Sequence, residues 1–361
     1  MDCYLHERGD VTGEREAQMP WTHSRTVSVL GTGHALPSSP IETDTLIEMM
    51  VRRFGFARAR QAQSIAKRME IATRHHCRDF SVAHEPAREG DSNADLAARA
   101  VSAALADAGL AITDIAYLIG HTTTPTQPLP ANIALVADRL GYSGPHVELR
   151  QACTGFANGL MIAAGLLAQG DSRPVVIVGS ETGAVFFDPL RMNDDPGQII
   201  NMIQMGDGAG AVVLGSARGA CASIDAAWMG SIGLNRSPGI QQHHGRSEFD
   251  HDFSQILKTG PDLFDAGVAV AALLGHGLAS ADIIIPHQVS GRIGDQAAAH
   301  LGVHRDRIFV SADRVGNTGS AAIWIALDQV RRSGLASGAR VLTLGAEATK
   351  FLYGGFVYVH R

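Results

Sequence analysis

Charge is scarce in this chain. Asp, Glu, Lys and Arg make up only 18% of its 361 residues, against about 25% in an ordinary soluble domain. What charge there is leans negative, −6 overall with a pI near 6.2, which argues against a nucleic-acid binder. Long apolar runs are missing as well. None approaches the ~18 residues that cross a membrane, and the opening MDCYLHERGD lacks the apolar core of a secretory signal. The expectation is a soluble, cytoplasmic protein that binds neither membrane nor nucleic acid. Cysteine is sparse: Cys3, Cys77, Cys153 and Cys221 lie far apart with no CxxC pair. That spacing at this size excludes a disulfide framework and leaves each thiol to be read singly, as core filler or as nucleophile.

What is abundant is small and apolar. Hydrophobic residues reach 45% and glycine numbers 40, a composition for close backbone packing, extensive burial and a partner subunit. Residues 1–25 show no periodic pattern and read as a tail. From Thr26 onward short apolar runs alternate with helical patterns. Thr26–Leu30 reads as a strand running into a turn at Gly31–Gly33; Ala116–Gly120, His146–Leu149, Pro174–Ser180 and Ala211–Leu214 read as further strands. Helical patterns occupy Asp91–Leu110, Ala131–Leu140 and Gly155–Ala168. The rhythm then repeats, with strands at Ala281–Pro286, Ile308–Val310, Val341–Leu344 and Gly355–Val359 and helices at Phe264–Leu274, Arg292–Leu301 and Ser320–Arg332. Strands of this kind, apolar throughout, are covered on both faces, so the class is α/β. One βαβ-rich unit is used twice, 26–215 and 216–361.

Three polar residues fall where such folds gather their chemistry, at the carboxyl ends of strands. Cys153, in Glu148-Leu-Arg-Gln-Ala-Cys-Thr-Gly-Phe156, stands where a strand ends and a helix begins, a position that favours a thiolate. His287 ends the run Ile283-Ile-Ile-Pro-His-Gln288, and Asn317 lies in Arg314-Val-Gly-Asn-Thr-Gly-Ser320 before another helix. Each alone is equally a satisfied core group. Together, a Cys with a His and an Asn fits nucleophilic acyl chemistry. In Gly206-Asp-Gly-Ala-Gly210 no Lys-Ser/Thr or GxGxxG follows, so its glycines read as a tight passage and not a phosphate cradle. His75-His76-Cys77, and His243-His244 with His251, lack ligand spacing on one helix face and read as loop histidines, so no metal is expected.

Cys153 in its setting, Pro286-His-Gln288, Val315-Gly-Asn-Thr-Gly319 and Met205-Gly-Asp-Gly-Ala-Gly-Ala211, in this order from about Val27 to the C-terminus, resemble the β-ketoacyl-ACP synthase III family of thiolase-fold condensing enzymes. The resemblance implies a five-layered αβαβα fold of two similar halves, working as a homodimer without a cofactor. It implies that Cys153 takes an acyl group from CoA or an acyl carrier protein. A malonyl-thioester then decarboxylates, with His287 and Asn317 donating hydrogen bonds to the developing enolate, to give a β-ketoacyl thioester. Two other readings remain: an acyltransferase of this fold acting on a hydroxyl or amine, and a non-catalytic partner subunit.

The chain also departs from the family. The glycine triplet near the C-terminus is matched here by Ala348-Thr349-Lys350, so Lys350 is expected to reshape the pocket. The segment around Arg68-Met-Glu-Ile71 lacks the Trp that stacks on CoA adenine, and Ser290 replaces an Asn while Arg292 is kept as a substrate-binding residue. Glu181–Met205 matches a loop that borders the acyl pocket in the family, and it is longer here than usual. In Gln127-Pro-Leu-Pro130, Leu129 matches a residue that reaches across the dimer and closes the partner's pocket. Residues 51–78 carry eight basic side chains against the single Glu70, a solvated face or a docking surface for an acidic carrier or CoA phosphates.

Overall fold

The computed structural model describes residues 19–170, 172–216, 222–242 and 249–361. The first half contains β1 (Trp21–His23), β2 (Val27–Ala35), β3 (Ile41–Glu42), α1 (Thr43–Phe54), α2 (Ala59–Met69), β4 (Thr73–Arg74) and α3 (Asn93–Ala108). It continues through β5 (Tyr117–His121), α4 (Asn132–Leu140), β6 (His146–Leu149), α5 (Gly155–Leu167), β7 (Val175–Glu181), α6 (Pro196–Gln204) and β8 (Gly208–Ser216). The second half contains β9 (Ser223–Ser231), β10 (Ile240–Gln241), β11 (Asp250–His251), α7 (Phe253–Leu273), β12 (Ile283–Pro286) and α8 (Ile293–Leu301). It closes with α9 (Ala312–Val315), α10 (Ala322–Arg332), β13 (Arg340–Glu347) and β14 (Leu352–Val359).

Strand pairing states the repeat. In the first half β2 pairs antiparallel with β8, β8 antiparallel with β7, β7 parallel with β5, and β5 parallel with β6. In the second, β9 pairs antiparallel with β14, β14 antiparallel with β13, and β13 parallel with β12. Ile284 then bridges Ile308 in parallel, in the place of a fifth strand. The two sheets meet at Val27–Ile224 and Ser28–Ser223.

Five layers follow from where the apolar faces go. α5 is apolar nearly all round, as a helix buried on both sides must be. With α10 it packs between the sheets, Phe156, Leu160, Trp324 and Leu327 meeting Ile177, Val212, Val341 and Phe356. α3 and α4 cover the outer face of the first sheet, and α7 and α8 that of the second. A separate cluster of α1, α2 and α6, built on Leu46, Met50, Ile65, Ile199 and Met202, sits beside the layers.

Several elements differ from the sequence reading. Gly31–Gly33 is no turn; β2 runs through it. A Cβ at Gly31 would stand 2.3 Å from the Ala104 carbonyl, and one at Gly33 2.5 Å from the Ala104 nitrogen. These glycines let α3 lie against the strand. Trp21–His23, placed in the tail from sequence, pairs with β9. Ile308–Val310 keeps only its bridge at Ile308. α7 starts at Phe253, capped by Asp252 on the Gln255 N–H and continuing past Pro261, well before the expected Phe264.

Candidate active site

Cys153 lies two residues before α5, and Asn317 precedes the 3-10 turn Gly319–Ala321 that leads into α10. The internal repeat therefore puts them in equivalent places, each on the loop that opens a central helix. Both face one cavity of about 350 Å³, whose wall also includes Thr124, Arg150, Glu181, Met205, His251 and Glu347.

The Asn317 amide is oriented by its own loop. Its Oδ1 accepts the Gly319 N–H at 3.0 Å, which leaves Nδ2 as the free donor end. The backbone is held on both sides: Asn317 N–H donates to the Gln204 carbonyl at 2.8 Å, and Gly206 N–H donates to the Asn317 carbonyl at 3.0 Å. A Cβ at Gly206 would lie 1.9 Å from the Val315 carbonyl oxygen. The glycine-rich run is thus a tight passage against the Asn317 loop. Its Asp207 accepts from the N–H groups of Cys77 and Ala184, and burial pushes its carboxyl up to about 6.

His287 follows β12, its N–H donating to the Leu344 carbonyl at 2.8 Å. It is 5% exposed and is not part of the cavity wall itself. Gln204, which is, links the Asn317 loop to the segment that follows His287: its Nε2 donates to the Val289 carbonyl at 2.9 Å while its backbone carbonyl accepts from the Asn317 N–H. Burial lowers the imidazole to about 4, so the ring is neutral at physiological pH, and its Nδ1 has no hydrogen-bond partner among the described residues.

The Cys153 thiol does not behave as its helix-start position suggests. Burial pushes it well above the ordinary thiol value, and the Glu347 and Glu181 carboxylates push it further. Glu181 accepts from the Thr123 N–H at 3.0 Å, the Thr123 and Thr124 hydroxyls, and the Ser320 N–H and hydroxyl; burial raises its carboxyl. Both glutamates end strands, as His287 follows one. The rule that singled out His287 would have found them too.

Other expected site residues lie elsewhere. Lys350 is exposed on the turn between β13 and β14, with Nζ donating to the Arg236 carbonyl, so it does not reshape the cavity; Ala348 and Thr349 of the same turn line it. The left-handed residue of that turn is the buried Phe351, φ 55°. Arg292 is outside the cavity and faces Glu70 across 3.9 Å, both half exposed. Leu129 sits on an open loop, 84% exposed and away from the cavity of its own chain.

Of the basic run, Arg74 and Arg78 are fully buried. Arg74 donates to the Ile203 carbonyl, and Arg78 to the carbonyls of Ala184, Phe187, Val82 and Ala83, bracing the α1–α2–α6 cluster. His75 leans on the Pro37 carbonyl, and buried His76 packs edge-on to Phe80. Both lie in the loop after β4, His75 half-buried and His76 fully buried. His243 and His244 lie outside the described residues, and among those described no three His, Cys, Asp or Glu side chains gather as a metal site.

A duplicated five-layer fold whose central helices open on a cysteine and an asparagine, with a histidine at a strand end, defines the class of thiolase-fold condensing enzymes. Known proteins agree. Residues 147–233 match the family model for 3-oxoacyl-[acyl-carrier-protein] synthase III, and 274–357 match its C-terminal counterpart. The β-ketoacyl-[acyl-carrier-protein] synthase III of Cereibacter sphaeroides is 31% identical over 318 residues, covering 83% of this chain and 88% of that one. That of Rhodobacter capsulatus is 29% identical over 333 residues, covering 85% and 90%. Among solved structures, a tetronic acid condensing enzyme superposes with a TM-score of 0.80 at 27% identity, covering 92% of this chain and 99% of that one. The 3-oxoacyl-(acyl carrier protein) synthase III of Pseudomonas aeruginosa gives 0.75 at 26%, covering 93% and 98%. The chain belongs to the β-ketoacyl-[acyl-carrier-protein] synthase III family, as a divergent member.

Proposed function

We propose that this enzyme loads an acyl group on Cys153 and condenses it, with loss of carbon dioxide, with a malonyl-thioester. The observation that carries the reading is that Cys153 and Asn317 share one cavity, while a histidine that burial keeps neutral follows β12, the strand paired with the β13 that brings Glu347 to that cavity.

In the first stage Cys153 Sγ attacks the thioester carbonyl, the donor's thiol departs with the proton, and an acyl-cysteine remains. In the second, the malonyl-thioester oxygen receives hydrogen bonds from Asn317 Nδ2 and His287 Nε2. Carbon dioxide leaves, and negative charge collects on that oxygen where two neutral, fixed donors meet it. The carbanion attacks the acyl carbonyl, the Cys153 C–S bond breaks as the β-ketoacyl thioester forms, and the departing thiolate takes a proton from water to restore the thiol. A cationic imidazole would instead present a permanent charge to the malonyl carboxylate and oppose its loss. The neutral ring suits the step.

The exposed Arg52, Arg53, Arg58, Arg60, Lys67 and Arg68 of α1, α2 and their connection form a basic face suited to an acidic acyl carrier protein or to CoA phosphates. β6 ends the first sheet with one edge unpaired among the described strands, and a second copy would cover it and the Leu129 loop. We read the enzyme as a homodimer, with residues 26–215 supplying the nucleophile and 216–361 the histidine and asparagine.

Intact-protein mass spectrometry after incubation with a panel of acyl-CoAs and acyl-carrier proteins tests the first stage. The acyl mass is expected on the wild type and absent from Cys153→Ala. Malonyl-thioester added to the acylated enzyme should release carbon dioxide. Acylation without that release would overturn condensation; an acyl mass on Cys153→Ala would overturn the nucleophile.

A further inference from the structure

The repeat produces a second equivalence, between two carboxylates. Glu181 ends β7 and Glu347 ends β13, strands that hold the same position in their respective sheets. Each reaches into the other half. Glu181, from the first half, accepts the Ser320 N–H and hydroxyl where α10 begins. Glu347, from the second half, accepts the Thr154 N–H at 2.9 Å and the Thr154 hydroxyl at 2.7 Å where α5 begins. Thr349 donates to its other oxygen. Glu347 is 2% exposed, on the cavity wall with Cys153.

The opening N–H groups of a helix are its positive end, and that end is what stabilises a thiolate placed before it. Here a carboxylate occupies it. We propose that the two glutamates are reciprocal caps created by the duplication, and that Glu347 is the positioning residue that keeps Cys153 a thiol in the free enzyme. This rests on Cys153 being the nucleophile.

The other groups around the thiol do not reverse the effect. Glu181 spends its oxygens on Thr123, Thr124 and Ser320. His287, from the end of β12, is neutral. Arg150, from the strand end before Cys153, faces Glu148 at 3.5 Å, and Asn317 carries no charge. The thiol is thereby protected from stray electrophiles and oxidants, which react with thiolate. In acylation the S–H bond breaks as Sγ bonds to the carbonyl carbon. The thioester C–S bond then breaks, and the proton ends on the departing thiol.

The test is the pH profile of iodoacetamide alkylation at Cys153, followed by peptide mass spectrometry in the wild type, Glu347→Gln and Glu181→Gln. Gln keeps an oxygen for Thr154 and removes the charge. The wild-type midpoint should lie above the ordinary thiol value of ~8.5. Glu347→Gln should lower it, raising the neutral-pH rate about tenfold for each pH unit moved, and by more than Glu181→Gln. A wild-type midpoint below ~8.5, which needs no variant to fold, or an unmoved midpoint in a folded Glu347→Gln, would overturn the proposal. Acyl loading of the wild type, measured in parallel, separates this outcome from failure of the nucleophile assignment. Loading with an unmoved midpoint defeats only the cap, and a moved midpoint without loading defeats only the condensing reading.

Discussion

Gly206 and Asn317 are joined back to back: the N–H of the glycine donates to the carbonyl of the asparagine at 3.0 Å, and Met205 bridges the same residue. A methyl group at position 206 would meet the Val315 carbonyl oxygen at 1.9 Å, so backbone must move, and the Asn317 loop moves with it. Gly206→Ala is expected to lower malonyl decarboxylation by tenfold or more, on the scale of small misplacements of a reacting group. Acylation of Cys153 should persist. Loss of both stages in equal measure would show that the glycine serves the whole cavity.

His287→Ala and Asn317→Ala should separate the two half-reactions. Each removes one donor to the developing enolate, and decarboxylation is expected to fall by ~10²–10³. The acyl-enzyme should still form in both. If single-turnover acylation falls as far as decarboxylation, the pair activates the thiol instead.

Three buried histidines and the half-buried His251 make the fold sensitive to mild acid. Burial lowers His287 and His251 to about 4 and His121 to about 3, and holds His76 well below its ordinary value. The unfolded chain binds protons on these rings from about pH 6.5 downward, where the folded chain refuses them. Their contribution is therefore present in full above that pH and is lost progressively as pH falls through about 4. Urea midpoints measured at pH 7, 6 and 5 should decline in that order. A flat series would mean that the rings are protonated in the native state.

Leu129 tests the assembly. If Leu129 closes the partner's pocket in the proposed dimer, Leu129→Trp should shorten the preferred acyl chain while malonyl use is unchanged. An unaltered chain-length profile in a dimer of the variant would remove it from the pocket and turn attention to α6, whose Asn201 and Gln204 line the cavity.

Much of this protein was written locally. Apolar runs of strand length alternating with amphipathic helices are a property of neighbouring residues, and so is a polar residue at the junction of strand and helix. Cys153, His287 and Asn317 could be picked out on that ground. Local pattern could not say that Arg74 and Arg78 turn inward, because a basic run looks alike whether its guanidinium groups meet water or backbone carbonyls. Nor could it rank Glu347 above Lys350, three residues on. Closure of the second sheet aims the glutamate at the start of α5, and the turn that follows carries the lysine out to the Arg236 carbonyl. The periods of helix and strand depend on residues a few places apart, and the sequence carries them whole. The cavity depends on the stacking of two sheets about two central helices, which brings position 347 to position 154, and no local interaction encodes that meeting.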